Sequence, residues 1–139
     1  MSATLLAASV CYALAALVSI VFGAVYLLRS QFMPYHEEAI GLPWQQLDQR
    51  MQTLLLALMR VAGGGLLTVG ISTAILLLIP FRTGEPWSRY ALPAIGLVGG
   101  LPALYATILV RSRTHAHAPV AASATGIVLV IAGFILSLI

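Results

Sequence analysis

The side chains able to do chemistry gather in two short stretches of an otherwise hydrocarbon chain. The first, RSQFMPYHEEAIGLPWQQLDQRMQTLLLALMR from Arg29 to Arg60, holds Tyr35, His36, Glu37, Glu38 and every acidic residue except Glu85. The second, RSRTHAHAP from Arg111 to Pro119, holds His115 and His117. Imidazoles and carboxylates brought together suit two tasks: ligating zinc, manganese or iron, and giving or taking protons. His36, Glu37, His115 and His117 are therefore the metal candidates, and His36, Glu37 and Glu38 the catalytic ones. Neither spacing is a ligand signature, and a bare HxH in a loop is more often solvated. The leading reading of these residues is accordingly structural, as helix caps, headgroup contacts and ion-pair partners of Arg29, Arg50 or Arg60.

The elements that must position them are transmembrane helices. Of 139 residues, 60% are hydrophobic and 8% charged, with a mean hydropathy of +1.01, against about a quarter charged in soluble domains. A bilayer core of about 30 Å takes roughly 20 apolar residues in a helix. Four runs qualify, at 3–28, 55–80, 90–110 and 120–139. Backbone groups cannot stay unpaired in lipid, so each run must be helical. The fold class is thus all-α, a single-domain four-helix transmembrane bundle, with an interfacial segment over 34–54. The first run is too long for a signal-peptide core and lacks a basic flank, so it reads as a retained helix. Cys11 lies within it and has no second cysteine to pair with.

Within the first span Tyr12, Ser19 and Tyr26 recur every seven residues and mark the face turned toward the other helices. Pro34 prevents that helix from continuing, Gly41 suits a left-handed helix end, and Pro43 suits a helix start. From Trp44 onward Trp44, Leu47, Met51 and Leu54 fall on one face and polar residues on the rest, the pattern of an interfacial helix anchored by Trp44. It runs without a breaker into the second span. A straight rod from Trp44 to Pro80 would measure about 55 Å, so a bend or a close helix contact is expected at Gly63, Gly64 and Gly65. Arg60, one turn earlier, snorkels to the headgroups or pairs with Glu37, Glu38 or an anionic lipid. In the third span Pro93 and Pro102 suggest a kink. Its stripe of Gly96, Gly100, Ala103 and Thr107 matches a fourth-span stripe of Ala122, Gly126, Gly133 and Ser137, and the two are expected to pack together or to serve an oligomer.

The first and third loops share one membrane face. Arg29, Arg50, Arg111 and Arg113 lie on it and Arg82 and Arg89 on the other, so the positive-inside rule puts these loops in the cytoplasm and both termini outside. Several functions are disfavoured by what the spans lack. No histidine lies mid-span to ligate haem, no acid, lysine or histidine to relay ions or protons, and there is no phosphate loop, HExxH or serine elbow. The scattered arginines do not form a nucleic-acid footprint.

The runs FMPYHEEAIGLPW, LLLALMRVAGGG, IPFRTGEPW and LPALYAT resemble small, uncharacterised four-helix membrane proteins of bacteria. The arginine and glycine cluster that opens the second span is also similar to DoxX-like membrane proteins. These resemblances imply a bacterial inner-membrane location and the four-helix layout, with no activity attached. The foremost functional expectation is a non-enzymatic membrane protein, an interaction or accessory subunit or a lipid-binding bundle, with membrane lipids and a membrane protein or further copies of itself as partners. Tyr35, Trp44, Arg60, Gly96, Gly100, Gly126 and Gly133 are its candidate contact residues, and a quinone-like molecule is one candidate ligand. The alternatives are a surface enzyme using His36 with Glu37 or Glu38, with or without metal, and an oligomeric uncoupled channel or transporter.

Overall fold

The computed structural model describes residues 2–139. It is all-helical, and four of its helices are long and apolar enough to cross a membrane. Helix α1, Ala3–Leu28, starts at Ser2, whose hydroxyl accepts the Leu5 N–H at 3.2 Å. Helix α2, Pro34–Ile40, has proline in its first turn, where no N–H is needed, and ends at Gly41 with φ 75°. A single 3-10 turn, Trp44–Gln46, follows. Helix α3, Gln49–Leu76, continues as a wider π turn over Leu77–Phe81 that accommodates Pro80. Helices α4, Ser88–Thr114, and α5, Val120–Leu138, complete the bundle. Large apolar side chains such as Leu6, Val61, Val98 and Val128 point outward, as lipid rather than water requires.

The second span differs from expectation at its start. The chain turns extended at Leu47, and the Asp48 carboxylate caps α3 by accepting the Arg50 and Met51 N–H groups at 2.9 and 3.0 Å. The amphipathic stretch is therefore split between the 3-10 turn and α3, and of the four residues expected on one face Trp44 is buried while Met51 and Leu54 are exposed. Trp44 corrects another expectation. It is buried against Phe32, ring centroids 5.0 Å apart and perpendicular, and so is not an outward anchor. Gln52 fixes the turn by donating to the Trp44 carbonyl at 2.8 Å and the Leu47 carbonyl at 3.2 Å. Helix α4 stays helical through Pro93 and Pro102.

Around the bundle the helices follow the order α3, α1, α5, α4, with α4 returning to touch α3. Glycine sets how closely each seam shuts. A methyl on Gly63 would stand 2.8 Å from the Gly23 carbonyl oxygen, and one on Gly70 2.9 Å from that of Ala16, so α1 and α3 meet backbone to backbone. The neighbouring Gly64 and Gly65 face open space. Of the glycine triplet, Gly63 alone makes the close contact. Gly96 receives Val130 and Gly100 receives Ile127 from α5. The matching stripe on α5 does not answer it: Gly133 is spent on the Tyr12 ring of α1, and Gly126 meets nothing within 4 Å.

One half of the bundle is solid, packed by Ala8, Tyr12, Ala15, Phe81, Leu92 and Val130, with Tyr12 edge-on to Phe81 at 5.9 Å. Because the α1–α3 seam is backbone on backbone, its glycines have no room to give. Gly63→Ala and Gly70→Ala are each expected to destabilise by about 1–3 kcal/mol. Gly64→Ala, facing open space in the same helix, should leave stability unchanged or slightly raised. Thermal unfolding of the detergent-solubilised variants measures the difference; equal behaviour of all three would contradict the seam.

Candidate functional site

The other half of the bundle is hollow. A cavity of about 770 Å³ runs between all four long helices and is capped by α2, within the roughly 300–1,000 Å³ typical of small-molecule sites. Along α1 it extends from Ala15 to Tyr26, a depth of about 16 Å from the helical rise. Its lower wall is formed by Val18, Phe22, Leu66, Val69 and Ile127, with the hydroxyls of Ser19, Thr73, Thr107 and Ser123 set among them. Thr107 and Ser123 lie 3.5 Å apart. No charged side chain lines it.

The cavity opens sideways. Helices α3 and α4 touch where Gly99 receives Val69. Toward the first and third loops the lining residues of these two helices, Leu58, Ala62 and Gly65 on one side and Pro102 and Ala106 on the other, are also exposed. The gap between α3 and α4 thus leads from the lipid-facing surface into the bundle.

Polar groups concentrate at one end. Tyr26, near the end of α1, and Tyr35, in α2, join their hydroxyls in a hydrogen bond. His36 stacks edge-on with Tyr35 at 4.2 Å, Tyr26 at 6.2 Å and Phe32 at 6.2 Å. Its Nδ1 accepts the Met33 N–H at 3.3 Å, which places the ring proton on Nε2. Burial lowers the His36 pKa and favours the neutral ring. Burial likewise raises the Tyr35 phenol, followed by the effect of its hydrogen bond with Tyr26. Behind this rim Phe32, Trp44 and Met59 form a small buried cluster that ties the first loop to α3.

A contact across the two loops holds α2 in place. Glu38 Oε2 accepts the His117 backbone N–H at 2.7 Å and pairs with the His117 ring at 2.9 Å. The backbone bond above all, then the ring, holds the Glu38 carboxyl below its ordinary value. The segment after α4 explains the geometry. His115 ends that helix in a left-handed conformation, φ 60°. Thereafter Ala116 and Ala118 turn inward while His115 and His117 stay exposed.

The proposed metal set is therefore not assembled. His36 faces the aromatic cluster, His117 meets Glu38, and Glu37 and His115 are exposed. Among the described residues no three histidine, cysteine, aspartate or glutamate side chains come within reach of one ion. Neither Glu37 nor Glu38 hydrogen-bonds His36, so the acid and base pairing considered for them is not present in this geometry. Arg60 is exposed, and the one ion pair among the described residues is Glu38 with His117. Of the other contact candidates, Tyr35, Gly96, Gly100 and Gly126 line the cavity, while Trp44 and Gly133 pack elsewhere. The Tyr26–Tyr35 pair was half-visible in the seven-residue stripe of α1. The cavity itself had no sequence signal, because its lining residues read as ordinary packing residues.

Comparison with protein families, curated proteins and solved structures finds no match to this chain.

The cap should respond to acid. A histidine whose folded pKa is depressed contributes its full share of stability above its ordinary value of 6.5. That share is lost as pH falls below 6.5 toward the lower folded value. For Glu38 the corresponding loss lies lower, below its ordinary 4.5. The thermal unfolding midpoint of the detergent-solubilised protein is expected to fall as pH goes from 7.5 to 5.5, and His36→Gln should flatten that part of the profile. A parent profile no steeper across this range than that of the variant would contradict a His36 held neutral by burial.

Proposed function

We propose that this protein is a non-enzymatic integral membrane protein that holds one amphiphilic, lipid-like molecule, its apolar chain in the hollow half of the bundle and its head at Tyr26, Tyr35 and His36. The observation that carries this reading is the polarity of the cavity. Its walls are chiefly apolar through its depth, interrupted only by the hydroxyls of Ser19, Thr73, Thr107 and Ser123, while the tyrosine pair and His36 stand together at one end, at the level where α1 leaves the apolar region. A lipid in a bilayer has the same distribution, chain inward and head at the interface. The lateral gap between α3 and α4 offers it a path that never crosses water.

The location supported by the resemblance to bacterial four-helix proteins is the inner membrane. The arginine balance supports cytoplasmic first and third loops. In that setting the segment 34–54 rests at the interface, with Trp44 turned inward against the preceding Phe32 and with Gln45, Gln46, Asp48 and Arg50 toward the headgroups. A helix of a membrane protein partner, or of a second copy, is the competing occupant of the same gap; the polar rim favours the amphiphile, since a packed helix would leave those donors unused.

Native mass spectrometry of protein purified gently from its own membrane tests the reading. A single added mass in the lipid range is expected, one per chain. Gly126 lines the cavity and faces open space, so Gly126→Leu should fill part of the volume and reduce that added mass at least severalfold while the fold persists. A bare chain, or a stoichiometric protein partner with no small molecule, would overturn it.

A further inference from the structure

The rim specifies the kind of head. We infer that the bound amphiphile carries an uncharged head with a carbonyl oxygen, received by hydrogen-bond donors from the tyrosine pair and His36; this rests on the lipid-holding reading above.

The argument is a count of donors and charges. Two phenols that share one hydrogen bond use one of their two protons, which leaves one O–H free to donate. His36 uses Nδ1 as an acceptor for Met33, so Nε2–H is a second free donor, and no protein group takes it among the described residues. A rim with two spare donors is matched by an acceptor with two lone pairs; hydroxyl and ether oxygens have them too, but a carbonyl oxygen is a stronger acceptor than an ether and, unlike a hydroxyl, brings no proton that needs a partner of its own. The same donors would also suit a carboxylate or phosphate. What argues against those is the absence of a counter-charge: no arginine lines the cavity, and Arg29 and Arg111, the nearest in sequence to Tyr26 and Val110, are exposed outside it. An ionised head drawn into an apolar cavity without a partner is strongly disfavoured. A neutral head loses little, provided its acceptor is satisfied.

An ester-headed glyceride and an isoprenoid quinone share this chemistry, and the test separates them. Detergent-solubilised protein, stripped of bound lipid, is offered a monoacylglycerol, the fatty acid of equal chain length at pH 8, the alkyl-ether glycerol that lacks the carbonyl, and an isoprenoid quinone, with binding read by native mass spectrometry. The monoacylglycerol or the quinone, whichever is the physiological source, is expected to bind about tenfold or more above the ether, the factor that one hydrogen bond of about 1.4 kcal/mol confers, and about tenfold or more above the fatty acid, whose charge finds no partner in the cavity. Tyr35→Phe alone leaves the Tyr26 O–H free to donate and should keep much of the ester-over-ether preference, whereas the double variant Tyr26→Phe with Tyr35→Phe removes the phenolic donor and should erase most of it. Ile40→Lys, placing a cation on the lining, should raise fatty-acid binding without strengthening the ester. Fatty acid bound as well as the ester in the parent protein would overturn the neutral-head inference and leave the lipid-holding reading standing. Failure of all four probes to bind would overturn both.

Discussion

The constraint on which the rest of the structure depends is the backbone contact between α1 and α3. Gly23 and Gly63 approach so closely that neither could carry a methyl group without moving a carbonyl, and Gly70 repeats the contact two turns further along. In lipid there is no hydrophobic force to draw helices together, so association follows wherever backbones can approach and pack. Helix α3 takes its closest contact from α1 and has little left for α4, which it meets principally where Val69 enters the space over Gly99. The end of the bundle toward Phe81 is filled by Tyr12, Phe81 and Leu92; from Thr73 and Gly96 toward the first and third loops the interior is open, and the cavity is the space between the helices. Its shape follows from an unequal sharing of small residues among four seams.

The first loop turns this void into a site. Pro34 and Gly41 limit α2 to seven residues, short enough to lie across the end of the bundle. The aromatic cluster of Phe32 and Trp44 anchors its approach from α1, and Glu38 fastens its far side to the loop after α4. Neither device is strong alone; an exposed pair such as Glu38 with His117 contributes little in isolation. Together they place Tyr35 against Tyr26 and turn His36 inward, where desolvation keeps the ring neutral. The titratable residues that drew attention in the sequence thereby take different roles: Glu38 and His117 become a fastening, and Tyr35 and His36 a hydrogen-bonding rim.

Most of the architecture was legible beforehand because it depends on long-range composition. The four spans follow from apolar run length, and the start and end of α2 from Pro34 and Gly41, whose backbone preferences are local. The inward stripe of Tyr12, Ser19 and Tyr26 was equally plain, since a seven-residue repeat must share a helix face. The break before α3 was missed because Asp48 lay inside a good amphipathic pattern; its capping role shows only once the chain turns at Leu47. The α1–α3 seam was partly visible in Gly63, but nothing in the sequence paired it with Gly23. The cavity was illegible for a deeper reason. Leu66, Val69 and Gly100 are the same residues whether they pack against a neighbour or line a void, and only the spacing of helices distinguishes the two.

The most direct test is an experimental density map of the protein reconstituted in nanodiscs formed from its native lipids, examined between α3 and α4. The account requires one elongated feature inside the bundle, with its wider end at Tyr26, Tyr35 and His36 and its narrow end near Thr73. A gap closed by direct packing of α3 on α4, or occupied by a helix from another chain, would contradict it.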